Sequence, residues 1–531
     1  MTLFERVFGG NDYNYARTVA AIDEAIAAYG ESEPVSFPGT AYSLPCYYGV
    51  TGVKITTLGE MKAAMDTIKS KMTRNNRLHD AFESGIASAL CAEFLEALKY
   101  LHGAEPYAEP EMGHLTDAFV RNLGVPLVTG DIPGVAVIIG GAEDPAETVA
   151  LAKSYQAQGI LVTLTGDSIK HCFDAGMKLG ENVRVVPLGY EMQSVIHVVS
   201  VAVRAALIFG NVTPGDFASL AKYTMDRVKA FVNAYKPLSD EIVSYGAGAI
   251  CLGFPVISNE TENMFRVPKS LIQQLDTSKW NATSLEARDI KLKITNIDIP
   301  VAFATAFEGE IIRRGDMQVE VDGSRVDCFE LVQTRDASEV EDHKIVVDGP
   351  EIDEIPVGSK ISLSYTVEVA GKAMQPDFES VMERKMHSWI NCIEGVMHTG
   401  QRDMIRIRIS KADFEAGFKF KHLGEVLYAK VKSEFEAVVD KCQVTIVVNP
   451  EKNAALRAAA NEVFDKRDAR LASMTDESVD QYYTCIMCQA FSPSHVCIVT
   501  PERLGLCGAV SWLDAKATNE LDPQGPCQVI T

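Results

Sequence analysis

The chain has 531 residues, 47% hydrophobic and 23% charged, with a net charge of −22 at pH 7 and a pI near 5.0. That length suggests several domains of ordinary size, with enough apolar residues for a core in each. So acidic a balance excludes a nucleic-acid-binding role, because neutralising phosphates takes a basic face.

The opening MTLFERVFGGNDYNYARTV has no apolar run after a basic region, so no signal peptide is expected. Over residues 13–30, Val19, Ile22 and Ile26 fall at helical spacing and Gly30 is a suitable stop. Residues 84–102 form a second apolar-faced helix. From Gly134 the pattern alternates. VAVIIGG is a strand, Pro145 to Gln158 a helix, GILVTLTG a strand, SIKHCFDAGMKLG a helix and VRVVPLG a strand. Such alternation implies a parallel sheet covered by helices. The apolar stretch Val195 to Phe209 carries His197 and Arg204 and has 15 residues. That is short of the ~20 a bilayer requires, so it reads as a buried helix and the protein as soluble and cytoplasmic, with no membrane insertion. Gly140-Gly141 and Gly246-Ala247-Gly248 do not complete a dinucleotide fingerprint, and no phosphate-binding P-loop sequence occurs. These glycines read as turns and close-packing positions.

Residues 1–290 are therefore expected to be a Rossmann-like domain in a multidomain α/β protein. From Ile290 the composition shifts to strand-like runs: KLKITNI, VAFATAFEG, MQVEVDG and CFELVQ. Asp336 to Glu354, with eight carboxylates in 19 residues, reads as a solvated connector. After Gly358 come a strand (KISLSYTVEV), a helix (Asp377 to Val396), a strand (MIRIRI), a helix (Ala412 to Val431) and a strand (CQVTIVV). Residues 291–478 thus form a smaller α/β or α+β unit, closed by a charged linker helix within Glu451 to Asp480, and a third domain opens near residue 479.

That third region carries the chemistry. Cys485, Cys488, Cys497 and Cys507 stand within 23 residues as C-x2-C-x8-C-x9-C, where twelve cysteines spread over 531 residues would leave fewer than one. Four thiols on a short turn-rich loop are a ligand set for an iron–sulfur cluster or structural zinc, and disulfides are the competing use. The spacing matches neither a zinc ribbon nor the bacterial ferredoxin run. Cys46, Cys91, Cys172, Cys251, Cys328, Cys392 and Cys442 are scattered singly and read as buried thiols in a reducing compartment. Cys527 also reads as a buried thiol. His495 between the cysteines reads as a supporting group, and Trp512 as packing beneath the loop. Arg402, Arg406 and Arg408 share parity on or beside a predicted strand, with Lys411, Lys419 and Lys421 following. In so acidic a chain this local basic run is either a solvated strand face or a phosphate contact.

The segment Tyr483 to Val529, YTCIMCQAFSPSHVCIVTPERLGLCGAVSWLDAKATNELDPQGPCQV, resembles the nickel–iron–sulfur segment of the CO-methylating acetyl-CoA synthases. AYSLPCYYGVTG (Ala41 to Gly52), PLVTGDIPGVAVI (Pro126 to Ile138) and EGVMHTGQR (Glu394 to Arg402) resemble the bacterial form of that family, so the likeness spans the chain. The resemblance implies an acyltransferase that joins CO, a methyl group from a corrinoid iron–sulfur protein and coenzyme A into acetyl-CoA. It implies that Cys485, Cys488, Cys497 and Cys507 hold a 4Fe–4S cluster, that Cys488 also bridges a proximal nickel, and that Phe491 lies over that nickel. It implies that the first domain docks on carbon monoxide dehydrogenase and helps enclose a CO channel, and that the middle domain receives coenzyme A, a role that would fall to Arg402, Arg406 and Arg408. The family holds a distal nickel with a C-G-C motif in a part that extends past the position of Thr531. No C-G-C occurs in these 531 residues, where Cys507-Gly508 is followed by Ala509, so they are expected not to assemble the full nickel pair alone. The alternatives are a non-catalytic cluster protein that docks on the dehydrogenase or carries electrons, and a zinc-stapled scaffold.

Overall fold

The computed structural model describes residues 2–129, 131–258, 280–290, 297–304, 307, 310–323, 327–372, 374–375, 377–486, 496–506, 508 and 510–530. They fall into two compact units, Met1–Leu292 and Lys293–Thr531.

In the first unit, helix Leu3–Tyr29 starts earlier than its apolar spacing suggests, because Thr2 and Glu5 form a capping box that fixes the first turn. It packs against helices Arg77–Leu98 and Asp240–Cys251. Polar side chains at this contact pair with one another: Asn11 donates to Ser88 Oγ at 3.0 Å, and Ser88 hydrogen-bonds Ser244. The helices approach to backbone contact. A Cβ on Gly85 would lie 2.3 Å from Gly248 N, and one on Gly248 would lie 2.3 Å from Gly85 O. Gly246, in the same short motif, faces ordinary space, its nearest neighbour being Val256 at 3.6 Å.

The parallel sheet consists of β1 (Val135–Ile139), β2 (Leu161–Thr165), β3 (Val185–Gly189), β4 (Ala230–Ala234) and β5 (Val256–Ile257), in the order β3-β2-β1-β4-β5. The first four are buried along their whole length, as expected of strands covered on both faces. Helices Pro145–Ala157 and Asp167–Asp174 make the first crossovers. Sheets of this kind bind nucleotides in the crevice beyond the strand carboxyl ends. Here Met192 packs onto Gly166 and Tyr107 onto Gly189, and the Gly140 amide donates to Thr165 O at 2.9 Å, so the glycines serve turns and close packing.

Helix Ile196–Ile208 is the apolar stretch, and its polar residues His197, Ser200 and Arg204 are all buried. His197 Nε2 is 2.8 Å from Glu96 Oε2, and Arg204 donates to Asp117 at 2.9 Å. Among the described residues no helix is long and apolar enough to cross a membrane.

The second unit is built on two mixed sheets. β7 (Glu330–Thr334), β10 (Ser364–Ala370), β13 (Lys441–Val447) and β8 (Lys344–Asp348) form one, in that order. β11 (Val396–Gln401), β12 (Met404–Ser410), β6 (Met317–Asp322) and β9 (Ser359–Ile361) form the other. The fully buried pair His398–Glu330, at 2.5 Å, links β11 of one sheet to β7 of the other. Helix Asp377–Ile390 packs on β7 and β11, and helix Phe420–Glu434 on β13 and β8. From helix Pro450–Ala472, Arg467 reaches Glu379 and Glu383, each at 2.7 Å.

Several expectations change here. The acidic stretch 336–354 is not only a connector: it supplies β8, whose half-exposed residues pair with β13 at the sheet edge. VAFATAFEG forms no strand among its described residues, where Phe303 makes a single bridge to Ile393. KLKITNI lies outside the described residues except for Ile297. The helix expected over Asp377 to Val396 stops at Ile390, because Val396 is already in β11. The helix expected over Ala412 to Val431 is two helices, Lys411–Glu415 and Phe420–Glu434, separated at Gly417, whose φ of +96° no helix accommodates. A third, smaller sheet of three short strands closes the unit.

The glycine contacts set opposite expectations for two neighbouring positions. Gly248→Ala should destabilise the chain by about 2 kcal/mol, because the new methyl meets backbone that cannot yield. Gly246→Ala should leave stability unchanged or raise it by up to about 1 kcal/mol through better helix propensity. Chemical denaturation of both variants checks this, and equal effects would contradict the close-packing account.

Candidate metal centre

Burial alternates along residues 482–485, which stands Tyr483 and Cys485 on the covered face of a strand and Thr484 on the open one. That strand, β14 (Tyr482–Cys485), lies between β15 (Cys497–Val499) and β16 (Val529–Ile530). The β14–β15 register sets Cys485 directly opposite Cys497. Both thiols are buried, at 5% and 8% exposure, over an apolar cluster of Tyr483, Val499, Val510, Trp512 and Ala515. The Leu506 amide donates to Cys497 Sγ at 3.4 Å.

Trp512 does pack beneath the strands, its ring 6.0 Å from that of Tyr483 and its indole N–H donating to Gln481 O at 2.8 Å. The helix that begins with it, Trp512–Leu521, is capped by Ser511 and Asp514. Asp514 also receives Arg384 at 2.5 Å in a pair whose side chains are both less than a tenth exposed. This ties the cysteine region to helix Asp377–Ile390.

Two facing thiols in an apolar setting, one of them receiving a backbone amide, fit the demands of an iron–sulfur cluster. Such clusters are tuned by amide hydrogen bonds to sulfur and by exclusion of water. Cys488, Phe491, His495 and Cys507 lie outside the described residues. Among the described residues no three His, Cys, Asp or Glu side chains are grouped to hold an ion. Cys46, Cys91, Cys172, Cys328, Cys392 and Cys442 are buried thiols, and Cys251 is partly exposed.

The three arginines do not form one row. Arg406 and Arg408 share a face of β12, where Arg408 is paired across the strands with Glu320 of β6. Both guanidinium groups reach the fully buried Glu320, at 2.8 and 2.7 Å, and Lys360 approaches it from β9 at 3.2 Å. Burial alone would raise the Glu320 carboxyl, but hydrogen bonds from Arg406, Arg408 and Lys360 outweigh it and hold the group at about 2. Arg402 stands in the β11–β12 turn with a φ of +59°, paired with Asp468 at 2.9 Å and stacked over Phe464. Lys411 donates to Gly315 O, and Lys419 pairs with Asp353 at 2.8 Å. Lys419 and Lys421 line a cleft of about 390 Å³ with His422.

Sequence reasoning missed Glu320, the Leu506 amide and the Arg384–Asp514 pair. A signal existed for the first, since MQVEVD alternates and so gives β6 a polar face that must meet another. The other two arise from chain folding and leave no local trace.

Glu320→Gln should cost about 3 kcal/mol near neutral pH, because it leaves three cations facing a buried neutral group. The folded carboxyl titrates below its unfolded counterpart, so the advantage of Glu over Gln is full above the ordinary glutamate range, about 4.3, and fades as pH falls toward about 2. Denaturation midpoints of both proteins across that range check the sign.

The family model of the CO dehydrogenase/acetyl-CoA synthase complex beta subunit matches residues 299–453. That of the C-terminal region of the ACS/CODH beta subunit matches 464–531, and that of the carbon monoxide dehydrogenase subunit alpha N-terminal domain matches 19–101. The carbon monoxide dehydrogenase/acetyl-CoA synthase subunit alpha of Moorella thermoacetica is 40% identical over 535 residues, covering 100% of this chain and 73% of that protein. The acetyl-CoA decarbonylase/synthase complex subunit beta 1 of Methanocaldococcus jannaschii is 39% identical over 523 residues, 98% of this chain and 69% of that one. The beta subunit of the corresponding complex from Methanopyrus kandleri is 43% identical over 229 residues, 43% of this chain and 49% of its own length. With two relatives aligned along nearly its whole length, the chain belongs to the acetyl-CoA synthase family of carbon monoxide dehydrogenase/acetyl-CoA synthase complexes.

Proposed function

We propose that this chain acts as an acetyl-CoA synthase subunit, supplying the nickel–iron–sulfur centre, held by Cys485, Cys488, Cys497 and Cys507, at which CO, a corrinoid-borne methyl group and coenzyme A are joined into acetyl-CoA. The observation that carries this is the facing pair Cys485–Cys497, buried over apolar side chains with an amide on sulfur, in a member of the acetyl-CoA synthase family. When bound, such a centre supplies the metal at which the carbon–carbon bond forms. The four thiolates would hold it, Cys488 would also serve as a ligand for the proximal nickel, and Phe491 would limit access to that nickel.

The phosphates of coenzyme A are assigned to the basic side chains of the second unit. Arg406, Arg408 and Lys360 against Glu320 and Asp322 leave one net positive charge, and Arg406 is 42% exposed in its side chain. Arg402, at the neighbouring turn, is assigned the outer end of the same face. The first unit is assigned the docking of carbon monoxide dehydrogenase, which the match of the alpha-subunit N-terminal domain to residues 19–101 supports.

Purified without oxygen and supplied with iron and sulfide, the protein should take up both and gain broad visible absorption. Cys485→Ser or Cys497→Ser should abolish or cripple that uptake. One zinc and no sulfide per chain after growth with ample iron would overturn the reading. In sedimentation with purified carbon monoxide dehydrogenase, residues 1–292 should form a complex and residues 293–531 should not. Binding by the second piece alone would reverse the assignment.

A further inference from the structure

Three cysteines stand in a row across the small sheet, and only two belong to the assigned ligand set. On one side of β14, Cys485 faces Cys497. On the other, Tyr482 pairs with Ile530 and Tyr483 with Val529. The ladder continues past β16: the Thr484 amide donates to Gln528 O at 2.8 Å and the Ile486 amide to Pro526 O at 3.2 Å. These bonds bracket Cys485 and Cys527 as a non-hydrogen-bonded pair, the arrangement that brings opposite side chains closer in an antiparallel ladder. Both thiols are buried, so the register sets the two side chains against each other. Cys527 is 0% exposed, and Asn519 of the helix below holds its carbonyl at 3.0 Å. The row does not converge on one point, since no three such side chains among the described residues are grouped to hold an ion.

We propose that Cys527 is a positioning residue for the cluster, its S–H donating a hydrogen bond to the sulfur of Cys485. The inference rests on the cluster reading above. A cysteine that ligates a metal has given up its proton and can only accept. Cys527, sealed from water, keeps the proton and supplies the donor. A hydrogen bond to a ligating thiolate stabilises negative charge, and does so most in the reduced cluster, which carries more of it. Cys527 therefore raises the cluster's midpoint potential and fixes the Cys485 rotamer without touching the metal.

The test uses the full 531-residue chain, loaded with iron and sulfide without oxygen, as wild type, C527A and C527S. Iron and sulfide per chain are measured together with the midpoint potential, by anaerobic redox titration followed in the visible and by electron paramagnetic resonance. The expected result is that C527A keeps the wild-type iron and sulfide content and has a lower potential. C527S, which restores a donor of similar size, should return toward wild type. An unchanged potential in C527A overturns the proposal. So does loss of iron and sulfide in both variants with circular dichroism retained, since Cys527 would then be a ligand. A wild-type chain that takes up no iron or sulfide would instead sink the cluster reading, and this inference with it.

Discussion

The buried ion pair between Arg384 and Asp514 is the constraint on which the cysteine region depends. Asp514 uses one carboxylate oxygen for Arg384 and the other for the Ser511 amide and hydroxyl, so a single side chain both starts the helix Trp512–Leu521 and anchors it to helix Asp377–Ile390. That helix sets Trp512 under Tyr483 and holds the backbone of Cys527 through Asn519. The three-stranded sheet is too small to fix its own position: its strands run four, three and two residues. Removing one partner of such a pair costs about 3–5 kcal/mol, because the other charge stays buried alone. The stability of the cysteine region is therefore tied to the middle of the second unit, far from the cysteines in sequence.

The same logic recurs wherever this acidic chain buries carboxylates, with two distinct outcomes. Glu93 accepts the backbone amides of Cys46 and Tyr47, with Arg204 acting on it through charge alone, and burial pushes it up to about 7. Glu383 is likewise pushed up to about 7 by burial, which Arg467 and the Val332 amide only partly offset. Glu96 and Glu320 are buried too, but His197 and Lys99 hold the first, and two arginines and a lysine the second, at about 2. The difference is the number of side-chain nitrogen donors that reach the oxygen atoms. On the Glu320 side this uses up much of the positive charge of β12, so the strand's arginines hold sheet β11-β12-β6-β9 together, and what remains for an anionic ligand is concentrated at Arg406.

Much of this architecture was legible in the residues. The first sheet announced itself through apolar runs of strand length separated by helical segments, since only a doubly covered parallel sheet buries both faces of every strand. The glycines of Gly246-Ala247-Gly248 could be withheld from a nucleotide site because they lack the fingerprint spacing. The middle unit was less legible. Its acidic segment hides β8, because an edge strand needs only one protected side and so shows no clean alternation. The break at Gly417 and the turn at Arg402 depend on backbone conformations that composition does not declare.

By itself the sequence determined that four thiols lie close enough in the chain to share one metal centre, and that parity puts Arg406 and Arg408 on one strand face. Both follow from local geometry, the reach of a short loop and the two-residue repeat of a strand. Only the tertiary structure decided which group meets each of them. The register of β14 set Cys485 between Cys497 and Cys527, the packing of β6 placed Glu320 against the arginines, and the docking of two helices joined Arg384 to Asp514. These contacts join residues up to 130 positions apart, as between Arg384 and Asp514. They are fixed by which surfaces bury together, a property of the folded chain that no short stretch of it contains.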